Sequence, residues 1–248
     1  MAKSIILKKY DYGEADELVV FLSRELGWLR GIAKNAKKSR VRFGGHLEPL
    51  SLVDFNLRPR KKDDLVWIDE SQVIQGFQHI RTDIAKVARA QYFLELCSAF
   101  VPEDHPDSDL FDFILNFMEH LETAMPNPVR LLLDEIRLLG ILGYAPRFDV
   151  CPSCGKPLGP GQDAVFVPSL GGACHQGCVS PKGADHVPLS PNTLAIVRRG
   201  LEVGGEAAGR LRLNRAGLQE LRRALSSFVR YERGGEVKSL LFLERMDL

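Results

Sequence analysis

No apolar run in this 248-residue chain approaches the roughly 20 residues needed to cross a bilayer, so no membrane span is expected. Charge of neither sign predominates: 33 Lys and Arg stand against 32 Asp and Glu, a net charge of +1. Near the N-terminus only Ile5–Leu7 is apolar before Lys8 and Lys9 restore charge, too short for the core of an export signal. A secreted disulfide scaffold is therefore not expected, and the five cysteines are read as reduced, cytoplasmic thiols. Internal repeats and low-complexity tracts are lacking, as are G-x-S-x-G and H-E-x-x-H.

Two near-matches to catalytic motifs fail on spacing. His46-Leu-Glu48 has the H-x-E form of a zinc deaminase, but its only C-x-x-C partner, Cys151-x-x-Cys154, is far downstream and is preceded by Val150 where proline is required. Gly234-Gly235-Glu-Val-Lys238-Ser239 resembles the end of a P-loop, yet Val237 stands where glycine must precede the lysine. The carboxylate pairs Asp63-Asp64 and Asp134-Glu135 read as surface charge. No enzymatic activity is expected.

What is present is a globular composition, 45% hydrophobic and 26% charged, in a chain long enough for two or three small domains. Its charge is uneven. Residues 1–80 carry 14 cations against 11 acids, residues 81–150 carry 6 against 12, and residues 151–248 carry 13 against 9. A polyanion is expected to touch the two positive ends and avoid the middle.

Residues 1–80 read as five short strands, with apolar runs at Ile5–Leu7, Leu18–Leu22 and Trp28–Ile32 and alternation at Val53, Phe55 and Leu57. Glycines at 13, 27, 31, 44 and 45 mark turns and bends. The count suits an OB-type barrel, and the pattern alone also admits an SH3-like one. From residue 81 the period becomes helical. Ile84, Val87, Ala90, Leu94, Cys97 and Val101 form one stripe, with Cys97 as a small core residue. Leu110, Phe113, Ile114, Phe117 and Leu121 form a second. Asn127 and Pro128 start a third helix, with Val129, Leu132, Leu133, Ile136 and Leu139 on its buried side. Later helices start at Ser190-Pro191 and Asn214, with Arg198, Arg199, Arg215, Arg222, Arg223 and Arg230 on their polar sides, and Leu240–Leu243 packs back on them.

The strongest chemical signal is Cys151-Pro-Ser-Cys154-Gly followed by Gly171-Gly-Ala-Cys174-His175-Gln-Gly-Cys178. Two turns with ligands at i and i+3 aim soft donors at one tetrahedral centre, the arrangement of structural Zn²⁺. Cys151, Cys154 and Cys178 are ligands on either reading of the fourth. Cys174 gives C-x2-C-x19-C-x3-C; His175 gives C-x2-C-x20-H-x2-C, which keeps two residues in both knuckles and is favoured. Four protein ligands leave no open position, so the metal would scaffold a loop and not catalyse.

The second signal is cationic. Lys34, Lys37, Lys38, Arg40 and Arg42 occur without an intervening acid, and Arg58, Arg60, Lys61 and Lys62 occupy a later turn. Such runs are often solvated hairpin tips, but two on one small barrel suit a groove that neutralises phosphates. Trp28 and Phe43 lie nearby in sequence and read more readily as core than as base-stacking surfaces.

Several segments in this order resemble the bacterial RecO family of DNA repair proteins: Tyr12-Gly-Glu-Ala-Asp-Glu-Leu-Val, Ala33-Lys-Asn-Ala-Lys-Lys-Ser39, Leu47-Glu-Pro-Leu-Ser-Leu, the stretch from Arg130 to Pro146, Cys151-x-x-Cys154-Gly and Arg222-Arg-Ala-Leu. The resemblance implies a multidomain α+β protein: an OB domain over 1–80, then a helical domain over 81–248 with a zinc-binding module at 148–182. It implies a recombination mediator that binds single- and double-stranded DNA, anneals complementary strands and, with RecR, assists RecA loading on DNA coated by single-strand-binding protein. It matches Lys34, Lys37, Lys38, Arg40 and Arg42 to the family's basic loop and places the third zinc ligand on His175. The acidic tail of single-strand-binding protein would dock on the helical region, with Arg130 and Arg137 as receivers, in a cytoplasmic, nucleoid-associated protein. The competing readings are a zinc-ribbon adaptor that binds proteins without touching DNA, and a nucleic-acid enzyme using the zinc.

Overall fold

A computed structural model describes residues 1–59, 65–101, 105–180 and 185–246. Five strands, β1 (Ala2–Tyr12), β2 (Asp16–Ser23), β3 (Gly27–Ala33), β4 (Leu52–Pro59) and β5 (Leu65–Gln75), close into a barrel in the order β1-β2-β3-β5-β4. β4 returns antiparallel to β1, β3 runs parallel to β5, and a short helix α1 (Arg40–Phe43) lies on the β3–β4 connection. This is the OB arrangement.

Alternation along the strands sends Ile6, Val19, Phe21, Leu29, Val53, Phe55 and Ile68 inward, where Phe43 and Leu47 close the core. Phe21 meets Phe55 edge-on with centroids 4.9 Å apart. Gly31 shows why a small barrel needs a residue without Cβ: a methyl there would sit 2.7 Å from the Ile68 side chain and 3.1 Å from Phe21.

By contacts the chain divides into two units, Met1–Met125 with Arg245–Leu248, and Pro126–Glu244. The first holds the barrel, α2 (Gln78–Arg81), α3 (Ile84–Phe100) and α4 (Ser108–Thr123). Asp83 and Asp107 cap α3 and α4 through the N–H groups of Ala85 and Leu110. Phe93 of α3 stacks on Phe117 of α4 at 3.9 Å, and Arg24 of the β2–β3 turn donates twice to Asp112, at 2.8 and 2.9 Å. Glu122 receives the N–H groups of His79 and Ile80. Its burial opposes ionisation, but these donors outweigh it and hold the carboxyl below its usual range.

The α3 stripe differs from the sequence reading. Ile84 is 61% exposed, while Ala88, Tyr92, Phe93 and Leu96 are buried beside the expected Ala90, Leu94 and Cys97. The helix is covered on more than one side, so its apolar residues do not form a single stripe. Cys97 is a core residue, fully buried.

In the second unit, α5 (Pro128–Ile141) is capped by Asn127, whose side chain accepts from Arg130 N–H at 3.0 Å. It is followed by β6 (Ala164–Val167), β7 (Gly172–His175) and β8 (Val187–Leu189), in the sheet order β7-β6-β8. Then come α6 (Pro191–Val203), α7 (Gly205–Ala208), α8 (Arg215–Arg233) and α9 (Lys238–Arg245). Ser190 and Asn214 cap α6 and α8, and Leu240 and Leu243 of α9 are buried, all as the pattern suggests. Arg198 does not stay on a polar side: its Nε donates to the Phe148 carbonyl at 2.7 Å, tying α6 to the segment before the cysteines.

Asp134-Glu135 is not surface charge. Asp134 is 5% exposed and Glu135 6%. Asp134 accepts from Arg130 Nε at 2.7 and 2.9 Å and from Arg137 at 3.0 Å, while the same arginines donate to the carbonyls of Gly205 and Gly200, both at 2.6 Å. The carboxylate thus sets two guanidiniums that stitch α5 to α6 and α7. Asp134→Ala should cost about 3 kcal/mol in denaturant unfolding, because two partly buried cations lose their counter-charge. A change under about 1 kcal/mol would mean the network is incidental.

Candidate nucleic-acid interface and metal centre

The two basic runs flank the OB domain differently. Lys34 leaves β3 with its Nζ 4.6 Å from the centre of the Trp67 ring. The next turn is held to the β1–β2 connection, since Asn35 N–H donates to Asp16 at 2.8 Å and Lys37 N–H to the Ala15 carbonyl at 3.1 Å. Asn35 has φ of 56°, a left-handed conformation that asparagine tolerates better than most residues. On α1, Phe43 enters the barrel core, which turns Arg40 outward. The basic loop is therefore pinned at both ends.

Its cations are not equivalent. Lys37 pairs with Asp11 at 2.9 Å. Arg42 is half-buried and donates to the Lys34 carbonyl at 3.0 Å and the Asp69 carbonyl at 3.4 Å, so it holds the loop against β5. Arg58 makes a two-pronged contact with the Asp69 carboxylate, each arm 3.1 Å. Lys34, Lys38 and Arg40 are exposed, and among the described residues Lys38 and Arg40 have no ion-pair partner. Arg60, Lys61 and Lys62 lie outside the described residues. Trp28 and Phe43 are each 3% exposed, core residues as their sequence context suggested. The acids that answer these cations, Asp11 and Asp69, sit on other strands, and no local pattern announces them. Of the deaminase-like pair, His46 is spent on the Ser71 carbonyl at 2.8 Å and Glu48 on Lys9 at 2.7 Å.

The cysteine segment forms one cluster. Donor atoms of Cys151, Cys154, His175 and Cys178 all lie within 4.8 Å of one another and can hold a metal ion. Each knuckle has a local cause. Gly155, at φ 71°, lets its N–H turn back to the Cys151 carbonyl at 2.9 Å. At the second knuckle a 3-10 turn over Gln176–Cys178 follows β7 directly and brings Cys178 beside His175. Ser153 donates to the Cys178 carbonyl at 3.1 Å and links the two.

The cluster of possible donors includes His175 and not Cys174. Cys174 and His175 are neighbours on β7, so their side chains leave opposite faces. Cys174 is fully buried, and burial together with the neighbouring Cys151 thiol pushes its own thiol up to about 11, whereas His175 Nδ1 lies among the sulfurs of the cluster. His175 Nδ1 is 3.5 Å from Cys154 Sγ and 3.9 Å from Cys178 Sγ, while Nε2 is 3.2 Å from the Pro157 carbonyl. That carbonyl draws the ring proton to Nε2 and leaves the Nδ1 lone pair facing the sulfurs. A tetrahedron with bonds of about 2.0 Å to nitrogen and 2.3 Å to sulfur has an N···S edge of about 3.5 Å, so the spacing fits such an ion.

Sulfur ionisation agrees with this. Burial pushes the Cys151 thiol up, but N–H groups of His175, Cys154 and Ser153 aimed at its sulfur win and bring it to about 6. Contact with Cys154, then burial, pushes Cys178 up to about 11. Sulfurs this crowded resist losing successive protons unless a cation is shared among them. Phe166 of β6 stacks on Phe148 at 5.6 Å and meets Phe228 of α8 edge-on at 5.9 Å.

Two family models match the chain, Recombination protein O N terminal over residues 1–77 and Recombination protein O C terminal over residues 81–241. The chain belongs to the RecO family. Relatives named DNA repair protein RecO include that of Anaeromyxobacter dehalogenans strain 2CP-C, 35% identical over 98% of this chain and 94% of the relative. The protein of Syntrophus aciditrophicus is 32% identical over 98% and 95%, and that of Dehalococcoides mccartyi strain CBDB1 33% over 99% and 95%. RecO membership places the protein in DNA repair and recombination. Among the described residues no helix is long and apolar enough to cross a membrane.

Proposed function

We propose that this RecO chain is a non-catalytic recombination mediator of the cytoplasm and nucleoid. It binds single- and double-stranded DNA, anneals complementary strands and, with RecR, helps RecA displace single-strand-binding protein. The observation that carries the reading is an OB barrel whose β3–β4 loop is pinned at both ends yet exposes Lys34, Lys38 and Arg40. Cations on a fixed loop neutralise phosphates with little ordering cost, and annealing needs only that the repulsion between two strands be screened; base pairing supplies the driving force.

In this reading residues 1–80 are the DNA-binding domain, with Lys34, Lys37, Lys38, Arg40, Arg42, Arg58, Arg60, Lys61 and Lys62 contributing charge. Residues 81–248 are the helical domain, with Zn²⁺ held by Cys151, Cys154, His175 and Cys178 in the module at 148–182. Zinc would be structural. The acidic tail of single-strand-binding protein would be received at Arg130 and Arg137, where its carboxylates compete with Asp134 for guanidinium N–H groups.

The test is a strand-annealing assay without nucleotide, on naked DNA and on DNA coated with single-strand-binding protein. Acceleration on both substrates is expected. The adaptor reading draws support from the internal ion pairs of Lys37 and Arg58, and it predicts no acceleration on naked DNA and no retention of an unstructured oligonucleotide.

A further inference from the structure

One aromatic side chain on the barrel lies outside the core cluster. Val66 and Ile68 pack against the core, so Trp67 between them projects from the outer face of β5. It stands in register with Ile32 of β3 on one side and Arg58 of β4 on the other. Three neighbouring outward positions are cationic: Arg30 on β3, Lys34 just beyond it and Arg58 are all exposed, Lys34 lies over the indole at 4.6 Å, and Asp69, two residues along β5, is the acid that pairs with Arg58. A half-buried indole ringed by three cations on an OB barrel combines a flat π surface with charge for the flanking backbone. This is the pairing of features that single-stranded nucleic acid uses.

We propose that Trp67 is a stacking seat for one nucleobase of a single strand, with Arg30, Lys34 and Arg58 taking the adjoining phosphates. This rests on the DNA-binding reading above and adds to it a contact with the base. The four-carbon stem of Lys34 lets its ammonium swing from the half-buried indole to a phosphate as a base arrives. Asp69, which holds Arg58, keeps that guanidinium beside the ring. Stacking reads no hydrogen-bond pattern, so the seat accepts any base.

The chain has two tryptophans, and Trp28 is 3% exposed, so fluorescence separates them. Titration of the full protein with oligo-dT is expected to quench the native emission, and Trp67→Phe should lose that quenching while binding nearly as well. Trp67→Ala should bind about 5- to 100-fold more weakly with the salt dependence unchanged, because stacking releases no counterions. On an oligonucleotide abasic throughout, native protein and Trp67→Ala should bind alike. Salt-sensitive binding of oligo-dT with neither quenching in the native protein nor a loss in Trp67→Ala overturns the seat and leaves the DNA-binding reading standing. Absence of any oligonucleotide binding overturns both. Should Trp67→Ala fail to fold because the indole also shelters Ile32, the native quenching and its loss in Trp67→Phe still decide.

Discussion

Replacing His175 by Ala is expected to strip the metal from the protein, whereas Cys174→Ala should retain it at one equivalent. In Cys₃His sites all four donors share the cation, and structural zinc contributes on the order of 10–16 kcal/mol to the folding of small zinc-finger peptides. Removing one donor leaves three crowded sulfurs around an incomplete shell, so the module over β6 and β7 should loosen. A loss of at least about 3 kcal/mol is expected, a fall in melting temperature of roughly 6–12 °C for a chain of this size. Cys174→Ala only shortens a buried side chain, at a cost of about 1 kcal/mol. Metal content after gel filtration, with a thermal melt of each variant, checks both. Retention by His175→Ala together with loss from Cys174→Ala would show that the strand presents the other face. Chelation of the native protein should reproduce the His175→Ala melt, and Cys151→Ser should do the same, since backbone N–H groups aimed at its sulfur bring that thiol down to about 6.

The second large effect concerns DNA. If Lys34, Lys37, Lys38, Arg40 and Arg42 each neutralise one phosphate of a single strand, log K against log salt has a slope of about −3.5, and affinity falls about 100-fold between 50 and 200 mM salt. Changing all five to Ala should reduce the slope by about 3.5, leaving what the remaining barrel cations contribute. The structure refines this, because Lys37 is paired with Asp11 and Arg42 holds two carbonyls. The triple change at Lys34, Lys38 and Arg40 spares those contacts and should by itself reduce the slope by about 2. Filter binding of an unstructured oligonucleotide over a salt series measures it. Unchanged affinity and slope in the five-fold variant would remove the loop from the mechanism.

Much of this architecture was legible beforehand, for reasons that are local. Alternation at Val53, Phe55 and Leu57 reports a pleat with one buried face, and the Asn127-Pro128, Ser190-Pro191 and Asn214 starts report capping chemistry confined to one turn. The two knuckles were legible for the same reason: each is a four-residue turn. The α3 stripe is not legible because Ile84, at the first helical turn, is left 61% exposed, while the adjacent pair Tyr92 and Phe93 are both buried. Asp134-Glu135 was misjudged because a carboxylate pair mid-helix looks the same from sequence whether it faces water or two arginines one turn away.

Helix, strand and knuckle follow from residues a few positions apart, because propensity, periodicity and capping act over a turn or two, and a chain that places three cysteines and a histidine in two such turns brings together donors that can hold a metal ion. The face of β7 on which His175 joins the three cysteines depended on register with β6. Which cations stay available depended on Asp11 and Asp69 arriving from other strands, and Trp67 gained its cationic surround only when β3 and β4 closed on either side of β5. Those outcomes come from pairing between distant segments, where a shift of one residue turns every side chain to the opposite face and no local pattern records the result.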